Sequence, residues 1–165
     1  MIAYAILALV VVQRLGELVL ANRNTAALKA RGAVEIGAAH YPLIVALHAA
    51  WLAAIFWFLP QPPTVSWPLL AVFLVLQALR VWVLATLGPY WTTRIITLPG
   101  APLVKRGPYR FLRHPNYLVV AGEIAVLPLV FGEIAVAIVF ALANAAVLFW
   151  RIRQEETALA ARRAA

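Results

Sequence analysis

Long apolar runs separated by short polar breaks set the pattern of this chain. Met1–Ala21 is the first run, closed by Asn22-Arg23-Asn24-Thr25. Tyr41–Leu59 is the second, ended by Pro60-Gln61-Pro62-Pro63, and Trp67–Leu87 the third, ended by Gly88-Pro89. A connection of about 28 residues follows, then a shorter run, Asn116–Phe131, a turn at Gly132 and a last run, Glu133–Arg151. A helix needs about 20 mostly apolar residues to cross the hydrocarbon of a bilayer. The pattern therefore predicts an all-α fold: a polytopic integral membrane protein of five transmembrane helices, the last two forming a C-terminal helical hairpin. The fourth helix is short for an upright crossing, and Pro128 predicts a kink in it. No break is long enough to divide residues 1–165, so a single domain is expected.

Composition agrees with that pattern. Hydrophobic residues make up 65% of the chain and charged residues 12%, where a soluble domain carries about 25% charged residues. The net charge of +8 comes from fourteen Lys and Arg against six Glu and no Asp. These charges lie between apolar spans, so they point to anionic lipid headgroups and topology, not to nucleic acid. Arg23, Lys29 and Arg31 lie in the first connection, and Arg94, Lys105, Arg106, Arg110 and Arg113 in the third. Arg151, Arg153, Arg162 and Arg163 lie at the C-terminal end, while the second connection and the Gly132 turn have no Lys or Arg. The expected topology has the N-terminus outside and the C-terminus, with the polar loops, on the cytoplasmic side of the membrane. The first run lacks a basic leader and a clear cleavage site, so it reads as a retained helix and not a signal peptide. With no cysteine, thiolate chemistry and disulfides are excluded.

Chemistry has few places to occur in such a chain. The densest is Arg106-Gly107-Pro108-Tyr109-Arg110-Phe111-Leu112-Arg113-His114-Pro115-Asn116-Tyr117. Gly107-Pro108 signals a turn. Pro115 disfavours helix at His114 and suits the first turn of a helix, which puts His114 at the start of helix four. Free backbone N–H groups and the positive dipole end there suit a carboxylate or phosphate. On the last helix Asn144, Arg151 and Glu155 are seven and four residues apart and fall on one stripe. A tight turn between the last two helices should bring Arg113 and His114 to the same membrane surface as Arg151, Glu155 and Glu156. Arg14 and Glu17 are one turn apart and can pair; the alternative is that they shape a substrate site, since charges inside a membrane are functional by default. Arg80, with Gln77 on the same face, poses the same choice. His40 and His48 flank Pro42 with no reliable ligand spacing to Glu35, so no metal is expected.

The ordered elements Gly107-Pro108-Tyr109, Arg113-His114-Pro115-Asn116-Tyr117 and Arg151-Ile152-Arg153-Gln154-Glu155-Glu156 resemble the isoprenylcysteine carboxyl methyltransferase family of membrane enzymes, over about residues 100–157. The N-terminal motifs Arg14-Leu15-Gly16-Glu17, Arg31-Gly32-Ala33-Val34-Glu35 and His40-Tyr41-Pro42 look like small bacterial members, some of which methylate long-chain polyketide products such as alkylpyrones. The resemblance implies methyl transfer from S-adenosyl-L-methionine to a lipophilic acceptor. It also implies that Ala101, Pro102, Leu103, Val104, Tyr109, His114, Pro115, Asn116, Tyr117 and Glu155 hold the cofactor, and that Arg151 faces the substrate. Members that act on prenylcysteine carry a longer N-terminal half, so the acceptor stays open.

The physical reading beside it is compatible. A charged cofactor enters from the cytoplasm and a lipid-like acceptor from the bilayer. Arg151 or Arg113 can orient an anionic acceptor. A phenol needs a base, for which Glu156 or His114 is the candidate. Arg14, Glu17 and His48 are further candidates for substrate contact. Two rivals stand against this reading. Sterol and steroid reductases that use NADPH have a similar Arg-His-Pro-Asn-Tyr box followed by Gly-Glu, present here as Gly122-Glu123. A non-enzymatic membrane adaptor or transporter subunit is the other, although a carrier places its polar groups near the midplane. Taken singly, Arg113 also reads as an anchor that snorkels to headgroups, and Tyr109 and Tyr117 as interfacial aromatics. The oligomeric state is not legible.

Overall fold

A computed structural model describes residues 1–101 and 103–164. Five helices account for most of it: α1 (Ile2–Ala30), α2 (Tyr41–Phe58), α3 (Trp67–Leu87), α4 (Pro115–Val130) and α5 (Ile134–Ala164). Four of them, α1, α2, α3 and α5, are long and apolar enough to cross a membrane among the described residues. The fourth apolar segment, α4, has only 16 residues, roughly 24 Å of helix against about 30 Å of hydrocarbon. The chain is an all-α membrane protein. Among the described residues it has one sheet, a small antiparallel ribbon that the apolar pattern did not predict. Strand β1 (Val34–Ile36) pairs with β2 (Ile95–Thr97), with Glu35 opposite Ile96. A ribbon this short is marginal alone; here both strands pack on α5.

Local chemistry explains where helices start and stop. The polar run Asn22–Thr25 predicts an end to helix one, yet α1 continues to Ala30. The Asn24 side chain donates to the carbonyls of Trp91 (2.8 Å) and Gly88 (3.2 Å), which lie where the chain leaves α3. These polar residues are thus spent on another segment's unpaired backbone, as buried carbonyls require. In α4, Pro128 lacks the N–H that would bond the carbonyl of Ile124. The indole of Trp51 on α2 supplies a donor to that same carbonyl at 3.2 Å. The helix then ends two residues on, with the N–H groups of Phe131 and Glu133 closing on Pro128 O. Three residues join α4 to α5, and the two helices pack against each other.

The apolar core lies toward one end of the bundle, built from Leu7, Val10, Trp51, Ile55, Phe73, Ile124, Leu127 and Phe131. A second, smaller cluster of Ala21, Val83 and Trp91 sits under the long connection. At Gly122, α3 and α4 approach closely: a Cβ there would lie 2.9 Å from Leu76, the kind of contact small residues permit between membrane helices.

Between these clusters the bundle holds a charged network. Arg80 of α3 gives two hydrogen bonds of 2.5 Å to Glu17 of α1 and one of 2.8 Å to Glu123 of α4. Arg14 pairs with Glu17 (3.0 Å) and Glu123 (2.9 Å). Gln77 donates to Glu123 (2.7 Å), and Gln13 donates to Glu17 and Gln77. Glu123 is fully buried. The expected Arg14–Glu17 pair therefore exists, as part of a balanced set of two acids and two guanidinium groups.

Removing one member leaves an uncompensated charge in a dry site. Glu123→Ala is expected to cost about 3–5 kcal/mol. Replacing Arg80 and Glu123 together by Met and Leu should cost less than that single change. Thermal unfolding in detergent micelles measures both, and a double variant no more stable than Glu123→Ala would show that the network is not the cause.

Candidate active site

The long connection between α3 and α4 folds back over the end of the bundle. Gly107 opens a short 3₁₀ turn (Gly107–Arg110) at φ +56°, and a Cβ there would collide with the Thr86 side chain at the end of α3. Glycine is thus needed both for the backbone conformation and for the seating of the turn. Pro115 then begins α4, with His114 as the residue that caps it, as the sequence predicts.

These segments and the end of α5 enclose a cavity of about 670 Å³. His114, Arg151 and Glu155 meet there, the His114 ring lying 3.9 Å from the Glu155 carboxylate. The phenol of Tyr117 donates to Glu155 and accepts from Arg151 Nε at 2.9 Å. A second Arg151 nitrogen, Nη2, donates to the carbonyl of Thr93 at 2.7 Å. The guanidinium is therefore fixed from two sides. His114 stacks on Tyr117, with ring centres 5.4 Å apart and planes 17° apart. Burial, with Glu155 adding to it, raises the Tyr109 phenol above its ordinary range, so it stays a neutral hydroxyl.

The ribbon braces the other wall. Arg94 lines the cavity, bridges Glu35 at 2.6 Å and lies 3.9 Å over the Tyr41 ring. Lys29 also bridges Glu35, at 2.5 Å. Burial disfavours the Glu35 carboxylate, but hydrogen bonds from Lys29 and Arg94 outweigh it and hold the group below the usual carboxylate range. Thr93 donates to Tyr41 Oη at 3.2 Å while its carbonyl holds Arg151. The first connection and the third thus jointly position a residue of the last helix.

Of the residues the sequence singled out, Ala101, Leu103, Val104, Tyr109, Arg113, His114, Asn116, Tyr117, Arg151 and Glu155 all line this cavity. Pro102 lies outside the described residues. Pro115 is buried and faces a neighbouring apolar groove. Glu156 stands 3.5 Å from His114 Nε2 and is not on the cavity wall. Arg14 and Glu17 are engaged in the network deep in the bundle, and His48 bonds the Ile44 carbonyl of its own helix; the cavity touches none of the three.

Sequence reasoning missed Arg94, Trp91, Tyr90 and the apolar wall of Ile95, Ile96 and Leu98. An Arg flanked by Thr93 and a β-branched pair was a signal that this connection is ordered. The wall carries Arg94, Lys105, Arg110, Arg113 and Arg151 against Glu155, a strong surplus of positive charge. Among the described residues, Arg151 Nη1, Asn116 Oδ1 and Trp91 Nε1 on this wall are buried without a hydrogen bond, and His114 Nε2 has only the 3.5 Å contact with Glu156. Such groups are costly unless something pairs with them.

The fold and the site together define a helical membrane protein with a cationic cavity at one end of an apolar bundle. The model of the isoprenylcysteine carboxyl methyltransferase family matches residues 69–161. The chain belongs to that family. It is also 38% identical over 160 residues to the Bacillus subtilis (strain 168) protein named "Uncharacterized protein YpbQ", covering 94% of this chain and 95% of the relative. No solved structure matches it.

Tyr117→Phe deletes the hydroxyl that ties Arg151 to Glu155. It is expected to cost about 1.5–3 kcal/mol, the range for hydrogen bonds to charged groups. Tyr109→Phe should cost less, because the Tyr109 hydroxyl has no hydrogen-bond partner among the described residues. Thermal unfolding of the two variants in detergent compares them, and equal losses would mean that the Tyr117 hydroxyl does not hold the pair.

Proposed function

We propose that the protein transfers a methyl group from S-adenosyl-L-methionine to a lipophilic acceptor, by O-methylation of a carboxylate, enol or phenol. The observation that carries this reading is the cavity itself: one carboxylate among five cationic side chains, with unpaired polar atoms on its wall. That donor set fits a cofactor with an amino group, a carboxylate and a polar base. Glu155 would take the amino group, Asn116 has an unpaired atom for a polar contact, His114 adds a ring beside it, and Ala101, Leu103, Val104 and Tyr109 supply an apolar and aromatic wall. Bound there, the cofactor would supply an electrophilic methyl group on a sulfonium.

The protein's own part is orientation, which dominates in-line displacements. Arg151 is held through Nε and Nη2, which leaves Nη1 for an anionic acceptor oxygen; Arg113 is a second such group. A carboxylate or enolate needs no base. For a phenol, the His114–Glu156 contact offers a proton acceptor. The basic residues of the first and third connections and of the C-terminal end support a site on the cytoplasmic side by the positive-inside rule. Gly122-Glu123, which carries the likeness to NADPH-dependent reductases, has a structural use here: Gly122 packs on Leu76, and Glu123 is enclosed by Arg14 and Arg80.

Labelled S-adenosylmethionine offered to membranes with a panel of lipophilic acids, pyrones and phenols should give labelled product soluble in organic solvent. His114→Ala and Glu155→Gln should each weaken cofactor binding about tenfold or more, a loss of about 1.4 kcal/mol. Binding that survives both changes would refute the site. Purified protein that binds NADPH and ignores S-adenosylmethionine would refute the reaction.

A further inference from the structure

The stretch from Pro108 to Val119 is a wall with two faces. Tyr109, Arg110, Arg113 and His114 face the cavity. Pro108, Phe111, Leu112 and Leu118 face a second space of about 120 Å³, closed on its far side by Leu79, Trp82 and Val83 of α3. Among the described residues its lining is aliphatic and aromatic, and no charged side chain is part of it. Phe111 is 72% exposed and Leu112 47% exposed, on a stretch that is not helical. Two large apolar groups so displayed suit the interface of a bilayer.

Cations flank them. Arg110 and Arg113 stand on either side of the pair in the chain, and Lys105 shares the same cavity rim. Among the described residues no carboxylate lies within ion-pair distance of these three. The sequence makes this inevitable locally, because no Asp or Glu occurs between Glu35 and Glu123. An apolar groove beside unpaired guanidinium groups complements one kind of molecule: a hydrocarbon chain ending in a phosphate. Guanidinium forks match phosphate oxygens, and a headgroup with no cation of its own leaves that charge available to them.

We propose that this wall is a binding site for an anionic phospholipid, its acyl chain in the groove under Phe111 and Leu112 and its phosphate at Arg110 and Arg113. The assignment does not depend on methyl transfer. It does make the cavity responsive to the membrane, because Arg110 and Arg113, which would hold the phosphate, also line the cavity.

Trp82 lines the groove and reports on it. The protein is placed in phosphatidylcholine bilayers doped with a small fraction of chain-brominated phosphatidylglycerol or chain-brominated phosphatidylcholine. The Trp82 signal is the difference between wild type and Trp82→Phe. Brominated phosphatidylglycerol should quench it about twofold or more beyond brominated phosphatidylcholine at equal fraction, the excess expected of a headgroup-selective cationic site. The corresponding signal of Trp57, on α2 and exposed, should show no such excess. Arg110→Gln with Arg113→Gln should abolish the excess at Trp82, circular dichroism confirming the helices. Equal quenching by the two lipids in wild type overturns the proposal without recourse to any variant, as does an excess that persists in the folded double variant.

Discussion

Two carboxylates and two guanidinium groups meet inside this bundle, where α1, α3 and α4 would otherwise offer only hydrocarbon. An isolated charge there has a desolvation cost of several kcal/mol, so none of the four is tolerable alone. Glu123 is fully enclosed and reached by Arg14, Arg80 and Gln77 together. Three helices are therefore held in one register. The close approach at Gly122, one residue before Glu123, lets α3 and α4 meet at that level. The ends of the same two helices carry the site: Thr86 seats the Gly107 turn, and His114 caps α4. What fixes the middle of the bundle thus also fixes the cavity wall.

The site depends on a second arrangement, in which no charged side chain acts alone. Arg151 is oriented by Tyr117 and by the Thr93 carbonyl, Tyr117 is oriented by Glu155, and Thr93 is steadied through Tyr41. The ribbon, itself anchored by Glu35 between Lys29 and Arg94, brings residues from both halves of the chain to this point. Membership of the isoprenylcysteine carboxyl methyltransferase family rests on residues 69–161. The N-terminal part contributes Glu17 to the network and Glu35 to the ribbon.

Much of this was legible in local chemistry. Pro115 suits the first turn of a helix and disfavours helix at the residue before it, which put His114 at the start of α4. Seven- and four-residue spacings put Asn144, Arg151 and Glu155 on one stripe, and a tight turn at Gly132 implied that the start of α4 and the end of α5 lie side by side. Other features were not legible. Asn22–Thr25 reads as a helix terminator, but Asn24 serves carbonyls some 64 residues away in the chain. Three-residue strands leave no period to detect, and Glu123 gave no sign of having two arginine partners.

The sequence by itself determined the apolar spans, the surplus of positive charge at their ends and the helix start at His114. Each of these follows from a residue's own solvation or backbone geometry, which needs no partner. Tertiary structure alone decided that Arg14 and Glu17 join the internal network and stay off the cavity, that Arg94 stands on its wall, and that Arg151 keeps one nitrogen unpaired. Those outcomes depend on which distant group supplies the other half of a hydrogen bond or ion pair, and a linear pattern does not carry that information.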